Sequence, residues 1–89
     1  MPTSFALPDS IVSGKTSNGT AWSRSGNGPT IVLLHGVGMN KSVWAPELNL
    51  LCESFDVLVY DMWGHGESDL PNRELSLTDY TQQLVDLLK

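Results

Sequence analysis

Thr30-Ile31-Val32-Leu33-Leu34-His35-Gly36-Val37-Gly38, and then Val57-Leu58-Val59-Tyr60-Asp61-Met62-Trp63-Gly64-His65-Gly66-Glu67-Ser68, are the stretches that decide the fold. Each is a short apolar run that ends in a glycine-containing turn. Their residues are apolar at consecutive rather than alternating positions, the pattern of strands buried on both faces in a parallel sheet. Between them Trp44, Leu48, Leu51, Cys52 and Phe55 recur at offsets of four, seven, eight and eleven, one face of an amphipathic helix. Pro46 then falls in the first turn of that helix, where a missing N–H costs little. Strand, glycine turn, helix and strand make a parallel βαβ unit, with a site expected at the C-terminal ends of its strands.

Working outward, Asn18-Gly19 favours a tight hairpin turn between a strand beginning at Ile11-Val12 and a second at Thr20-Ala21-Trp22-Ser23. Gly26-Asn27-Gly28-Pro29 reads as a loop. Residues 1–9 read as a flexible leader. Residues 62–75 read as a loop broken by Gly64, Gly66 and Pro71. Ser76 and Asp79 form a capping-box pattern that starts a last helix, with Leu75 and Tyr80 placed as a hydrophobic staple. Leu77, Tyr80, Leu84, Val85 and Leu88 are the expected buried stripe. No glycine or proline closes this helix before Lys89, so residues 10–89 read as a partial α/β domain cut short.

With 89 residues the chain holds one small domain at most. Its net charge is −5 and its five basic residues are scattered singly, which argues against nucleic acid as a partner, since phosphate binding needs clustered Lys and Arg. The apolar runs are too short to span a bilayer, and the amino terminus lacks a charged region followed by an apolar core, so neither a membrane partner nor a secretory signal is expected. A single cysteine, Cys52, cannot form an internal disulfide and reads as a core residue of the first helix. The setting expected is cytoplasmic. Asn18-Gly19-Thr20 and Asn40-Lys41-Ser42 match the glycosylation acceptor pattern, by chance on this reading.

At its two turns the chain resembles the amino-terminal part of the α/β-hydrolase fold superfamily. His35-Gly36-Val37-Gly38 is similar to that family's oxyanion loop after the third strand. Asp61-x-x-Gly64-x-Gly66-x-Ser68 is similar to its loop after the fourth. The resemblance implies a sheet of order 1-2-4-3 and a small-molecule substrate carrying an ester, lactone or related acyl group. It implies an oxyanion donor at the backbone N–H of Val37, with Gly36, Gly38, Met39 and Trp63 lining the substrate side. His35, Asp61, Gly64, His65, Gly66 and Ser68 are expected to shape the loops. Asp61, His65 and Ser68 are triad residue types, but the family's triad follows the order Ser, acid, His later in the chain, so they are not assigned one.

No Gly-x-Ser-x-Gly occurs in the sequence. These residues are therefore expected to be inactive alone and to contribute the oxyanion loop to a serine-type hydrolase. No metal or cofactor is expected: His35 has no partner at ligand spacing. In the family order the third strand also pairs with a fifth, absent here, so self-association through residues 31–34 is expected of the isolated chain.

Two alternatives use the same residues. One is a non-catalytic interaction module. The other is a dinucleotide-binding βαβ unit, with Gly36-x-Gly38 facing a pyrophosphate and Asp61 a ribose. Against the latter, Lys41 stands where a third glycine belongs, and Trp44 and Pro46 crowd the helix start.

Overall fold

The computed structural model describes residues 11–89, so the leader expected over residues 1–9 lies outside the described residues. Strands β1 (Val12–Lys15) and β2 (Ala21–Ser25) form an antiparallel hairpin. Its turn closes through the Gly19 N–H on the Thr16 carbonyl at 2.9 Å, and Gly19 takes a positive φ of 84°. Strand β3 (Thr30–Leu33) is followed by a 3₁₀ turn, Lys41–Trp44, and helix α1 (Ala45–Leu51). Strand β4 (Asp56–Tyr60) runs parallel to β3 and antiparallel to β2, giving the order β1-β2-β4-β3. Helix α2 spans Leu77–Leu87.

The sheet is organised around β4. It has a neighbour on each side, and Val57, Leu58, Val59 and Tyr60 are all buried. Leu48 of α1 packs on Val57 and Val59, with Ile11, Leu33, Trp44, Leu51 and Phe55 around them. On the opposite face Leu87 of α2 lies beside Trp22 and Leu58. The two helices therefore cover opposite faces, and the period-2 alternation of β4 sends Val57 and Val59 to α1 and Leu58 to α2.

The apolar run of β3 is less enclosed than its composition predicts. Ile31, Val32 and Leu33 are half-buried and Leu34 is exposed, because β3 has a sheet neighbour on one side among the described residues.

The first helix is shorter than its apolar spacing predicts. Trp44 lies in the 3₁₀ turn and Phe55 lies beyond the helix, yet both reach the Leu48 cluster. Pro46 explains the 3₁₀ start: it has no N–H for the Ser42 carbonyl, which takes the Ala45 N–H instead. Cys52 is half-buried at the end of α1 and stands outside the core cluster, a correction to its expected core role; its thiol donates to the Asn49 carbonyl at 3.4 Å.

Helix α2 opens on the expected capping box. The Ser76 hydroxyl accepts the Asp79 N–H, and the Asp79 carboxylate accepts the Ser76 N–H at 2.8 Å. Its buried stripe differs from the expected one. Leu77, Val85 and Leu88 are exposed, whereas Tyr80, Gln83, Leu84 and Leu87 face inward at offsets of three, four and seven. A fully buried glutamine sits at the centre of that face. Among the described residues, no helix is long and apolar enough to cross a membrane.

Candidate active site

The two glycine turns meet at the C-terminal ends of β3 and β4. The first is closed by the Met39 N–H on the Gly36 carbonyl at 3.1 Å, with Gly38 at φ 82°. That φ is the one a type II turn requires at its third residue, and glycine takes it without a Cβ penalty. Gly36, Val37, Gly38 and Met39 are all exposed, Val37 at 87%. Among the described residues the Val37 N–H has no hydrogen-bond partner.

His35 precedes this turn and is 5% exposed. Its Nε2 accepts the Met62 N–H at 2.9 Å, so Nδ1 carries the ring hydrogen and donates it to the Gly36 carbonyl at 2.7 Å. One imidazole thus spans from the end of β3 to the residue after Asp61. The His65 ring lies beside it, with centroids 5.0 Å apart, and its Nδ1 is 3.1 Å from the Trp63 carbonyl oxygen.

Asp61 is the hub of the second loop. Its side chain is 1% exposed. Oδ1 accepts the Lys41 N–H at 2.6 Å, and Oδ2 accepts the Glu67 N–H at 2.9 Å. The Lys41 ammonium lies 3.3 Å from Oδ2 and 2.7 Å from Glu67 Oε1. Burial works against the charged ammonium, but the Glu67 and Asp61 carboxylates outweigh it and hold Lys41 above the ordinary lysine range. Gly66 has φ 50°, and a Cβ there would sit 2.3 Å from Asp61 Oδ2, so the glycine is what lets the loop close over the carboxylate. Asp61 is 1% exposed and already accepts three hydrogen bonds, from the Lys41 N–H, the Lys41 ammonium and the Glu67 N–H, so it is not open to a ribose and counts against the dinucleotide alternative.

Ser68 is 9% exposed and committed at both of its hydrogen-bonding functions. Its hydroxyl donates to the Asp61 carbonyl at 2.6 Å and accepts the Ala21 N–H at 2.8 Å. Trp63 is 9% exposed, its N–H donating to Gln83 Oε1 at 3.1 Å; its indole N–H is buried without a partner among the described residues. Gln83 also donates through Nε2 to Thr20 Oγ1 and to the Asp61 carbonyl, both at 3.1 Å. The Gly64 N–H closes the loop on the Asp69 carbonyl at 2.9 Å.

Lys41, Glu67 and Gln83 belong to this constellation and were not among the residues singled out from the sequence. Gln83 follows a second glutamine, Gln82, and nothing in the sequence marks which of the two is buried. A cavity of about 540 Å³ opens on the α1 face, lined in part by Ser13, Ser23, Lys41, Ser42, Leu48 and Glu67. Neither Val37 nor Trp63 lines it. Among the described residues no group of three or more His, Cys, Asp or Glu is placed to hold a metal ion.

The sequence from residue 29 to 89, more than half of the chain, matches the alpha/beta hydrolase fold family. The chain belongs to that family. It is 31% identical over 74 residues to an (E)-2-((N-methylformamido)methylene)succinate hydrolase of Acinetobacter baylyi, a match covering 82% of this chain and 28% of the relative. It is 41% identical over 64 residues to a pimeloyl-[acyl-carrier protein] methyl ester esterase of Vibrio atlanticus, covering 72% of this chain and 24% of the relative. Among solved structures, an E-2-(acetamidomethylene)succinate hydrolase superposes with a TM-score of 0.81 at 27% identity, over 88% of this chain and 30% of that one. The chain spans between 19% and 28% of the length of these curated relatives.

Proposed function

We propose that the chain is the amino-terminal portion of a serine-type hydrolase acting on an ester, lactone or related acyl substrate, and that it contributes an oxyanion donor, the Val37 N–H. The observation that carries this reading is an unpartnered backbone N–H on an exposed glycine turn, held at the C-terminal edge of a parallel strand pair. A tetrahedral oxyanion needs such a donor already in place, because a donor that must first leave a protein partner stabilises little. Gly36 and Gly38 on either side leave room for a substrate carbonyl, and Met39 flanks the approach. The relatives named as a methyl ester esterase and a succinate-derivative hydrolase support a carbonyl substrate.

Nucleophile, acid and catalytic histidine are not assigned within these residues. Ser68 is bonded on both sides, and Asp61 is neutralised by Lys41. The chain alone is thus proposed to be inactive. A cytoplasmic setting goes with this reading, in keeping with the free thiol of Cys52.

The test is Val37→Pro in the intact protein, assayed with p-nitrophenyl esters. Proline deletes the N–H and should lower kcat by about a hundredfold, the effect of losing roughly 3 kcal/mol of oxyanion stabilisation, with a much smaller change in KM. Val37→Ala, which keeps the N–H, should be mild. A kcat within threefold of the parent in the proline variant would remove the oxyanion role.

A further inference from the structure

The turn that carries the Val37 N–H has little to hold it in place. Its tip makes no packing contact that would orient it: Val37 is 87% exposed, and even a Cβ added at Gly38 would meet nothing within 4 Å. One internal bond, Met39 N–H to Gly36 carbonyl, sets its shape but not its direction. Direction comes from its two ends. At the leading end His35 is fixed to the Met62 N–H. At the trailing end Asn40 caps the 3₁₀ turn by accepting the Ser42 N–H at 2.9 Å, and the next residue is Lys41. Both ends are therefore tied to adjacent residues, Met62 and Asp61, at the exit of β4.

Lys41 makes its tie twice. Its backbone N–H is 2.6 Å from Asp61 Oδ1, and its own ammonium returns to Asp61 Oδ2 and on to Glu67. The side chain is 13% exposed although lysine ordinarily stays in water. Asp61 is more deeply buried still, and among the described residues Lys41 is the cation that reaches it. A buried carboxylate is costly unless a counter-charge lies beside it. The lysine head group thereby secures the very acceptor that holds its own backbone.

We infer that Lys41 is the positioning residue of the oxyanion turn: its ammonium, clamped between Asp61 and Glu67, fixes the trailing end of the turn to the β4 exit and so aims the Val37 N–H. This rests on the oxyanion reading for its catalytic consequence, but the clamp itself stands on the geometry of the loops. The residue touches no substrate and acts through the backbone that it anchors.

The experiment has two readouts on the intact protein, comparing Lys41→Met, Lys41→Arg and Glu67→Gln with the parent. The first is residue-resolved hydrogen exchange. In Lys41→Met the amides of Met39 and Lys41 should exchange at least tenfold faster, while those of Val57–Tyr60 stay unchanged. Glu67→Gln, which leaves Asp61 its counter-ion and is the milder change, should give a smaller rise at the same two amides; it decides the matter if Lys41→Met does not fold. The second readout is ester hydrolysis. Lys41→Met should lose about ten- to a hundredfold in kcat, the scale of a misplaced catalytic group, with KM within twofold, and Lys41→Arg should recover most of it. A rise in exchange without any measurable esterase activity in the parent would support the clamp and sink the hydrolase reading. Unchanged exchange at Met39 and Lys41 in a folded variant would overturn the clamp, whatever the kinetics show.

Discussion

The hydroxyl of Ser68 accepts the backbone N–H of Ala21 at 2.8 Å, joining the loop after β4 to the first residue of β2. Forty-seven residues separate the two in sequence. The same hydroxyl donates a hydrogen bond to the Asp61 carbonyl, so one serine ties the loop to the start of β2 and the end of β4.

Ser68→Ala should therefore behave as a stability change. It leaves the buried Ala21 N–H without an acceptor, a loss of about 1–3 kcal/mol, read as a shift in the denaturation midpoint of the intact protein. Ester turnover per folded molecule should remain. Abolition of a stoichiometric burst by this substitution would instead make Ser68 a nucleophile.

Gln83 offers a sharper case, since it is fully buried and makes three hydrogen bonds. Gln83→Leu nearly preserves volume but strips the Trp63 N–H of its acceptor and takes a donor from Thr20 and from the Asp61 carbonyl. The expected cost is about 3 kcal/mol, that of leaving buried polar groups unmatched. Gln82→Leu, one position round the helix and exposed, should stay within about 0.5 kcal/mol. Equal midpoints for the two variants would show that the Gln83 network contributes nothing.

The start of α2 should be acid-sensitive. The Asp79 carboxyl is held below its ordinary value of 3.8, chiefly by the Ser76 N–H, then by the Arg73 guanidinium and the Ser76 hydroxyl. A lowered folded value means that the cap stabilises fully above the unfolded value, and that this contribution is lost as pH falls through the folded one. Helical circular dichroism followed downward from about pH 5 should therefore decline less steeply in Asp79→Asn than in the parent. Identical acid slopes would exclude the cap as the source.

Much of the sheet could be read from the sequence because each strand is local and punctuated. Val57–Tyr60 is four consecutive apolar residues, and only a strand covered on both faces needs that. Asn18-Gly19 and Gly36-x-Gly38 mark turns through the backbone freedom that glycine alone supplies at φ 84° and 82°. What could not be read was the polar interior. Nothing in the spacing of Gln83 distinguishes a glutamine turned toward β4 from one turned toward water; that depends on how α2 rotates about its axis. Lys41 looked like an interruption in a glycine pattern because its meaning lies twenty residues away, in the carboxylate that it neutralises. The apolar stripes misled for a related reason. Periodicity fixes which residues share a face, but the covering available fixes which face is turned inward. In α2 that face is centred on Gln83 rather than on Leu77 and Leu88.

The place of β4 also sets a timetable. β2 and β3 follow one another in sequence but do not touch in the sheet: each is paired to β4, Trp22 with Tyr60 and Thr30 with Asp56. While the chain is being synthesised, only the β1–β2 hairpin has its strand partner already made. The Ile31–Leu33 segment leaves the ribosome some twenty-five residues ahead of the strand that will cover its edge, and it must travel that far as unpaired apolar backbone. Among the described strands, β4 must insert between two that are made before it, the kind of long-range closure that slows folding and leaves apolar edges open while it waits.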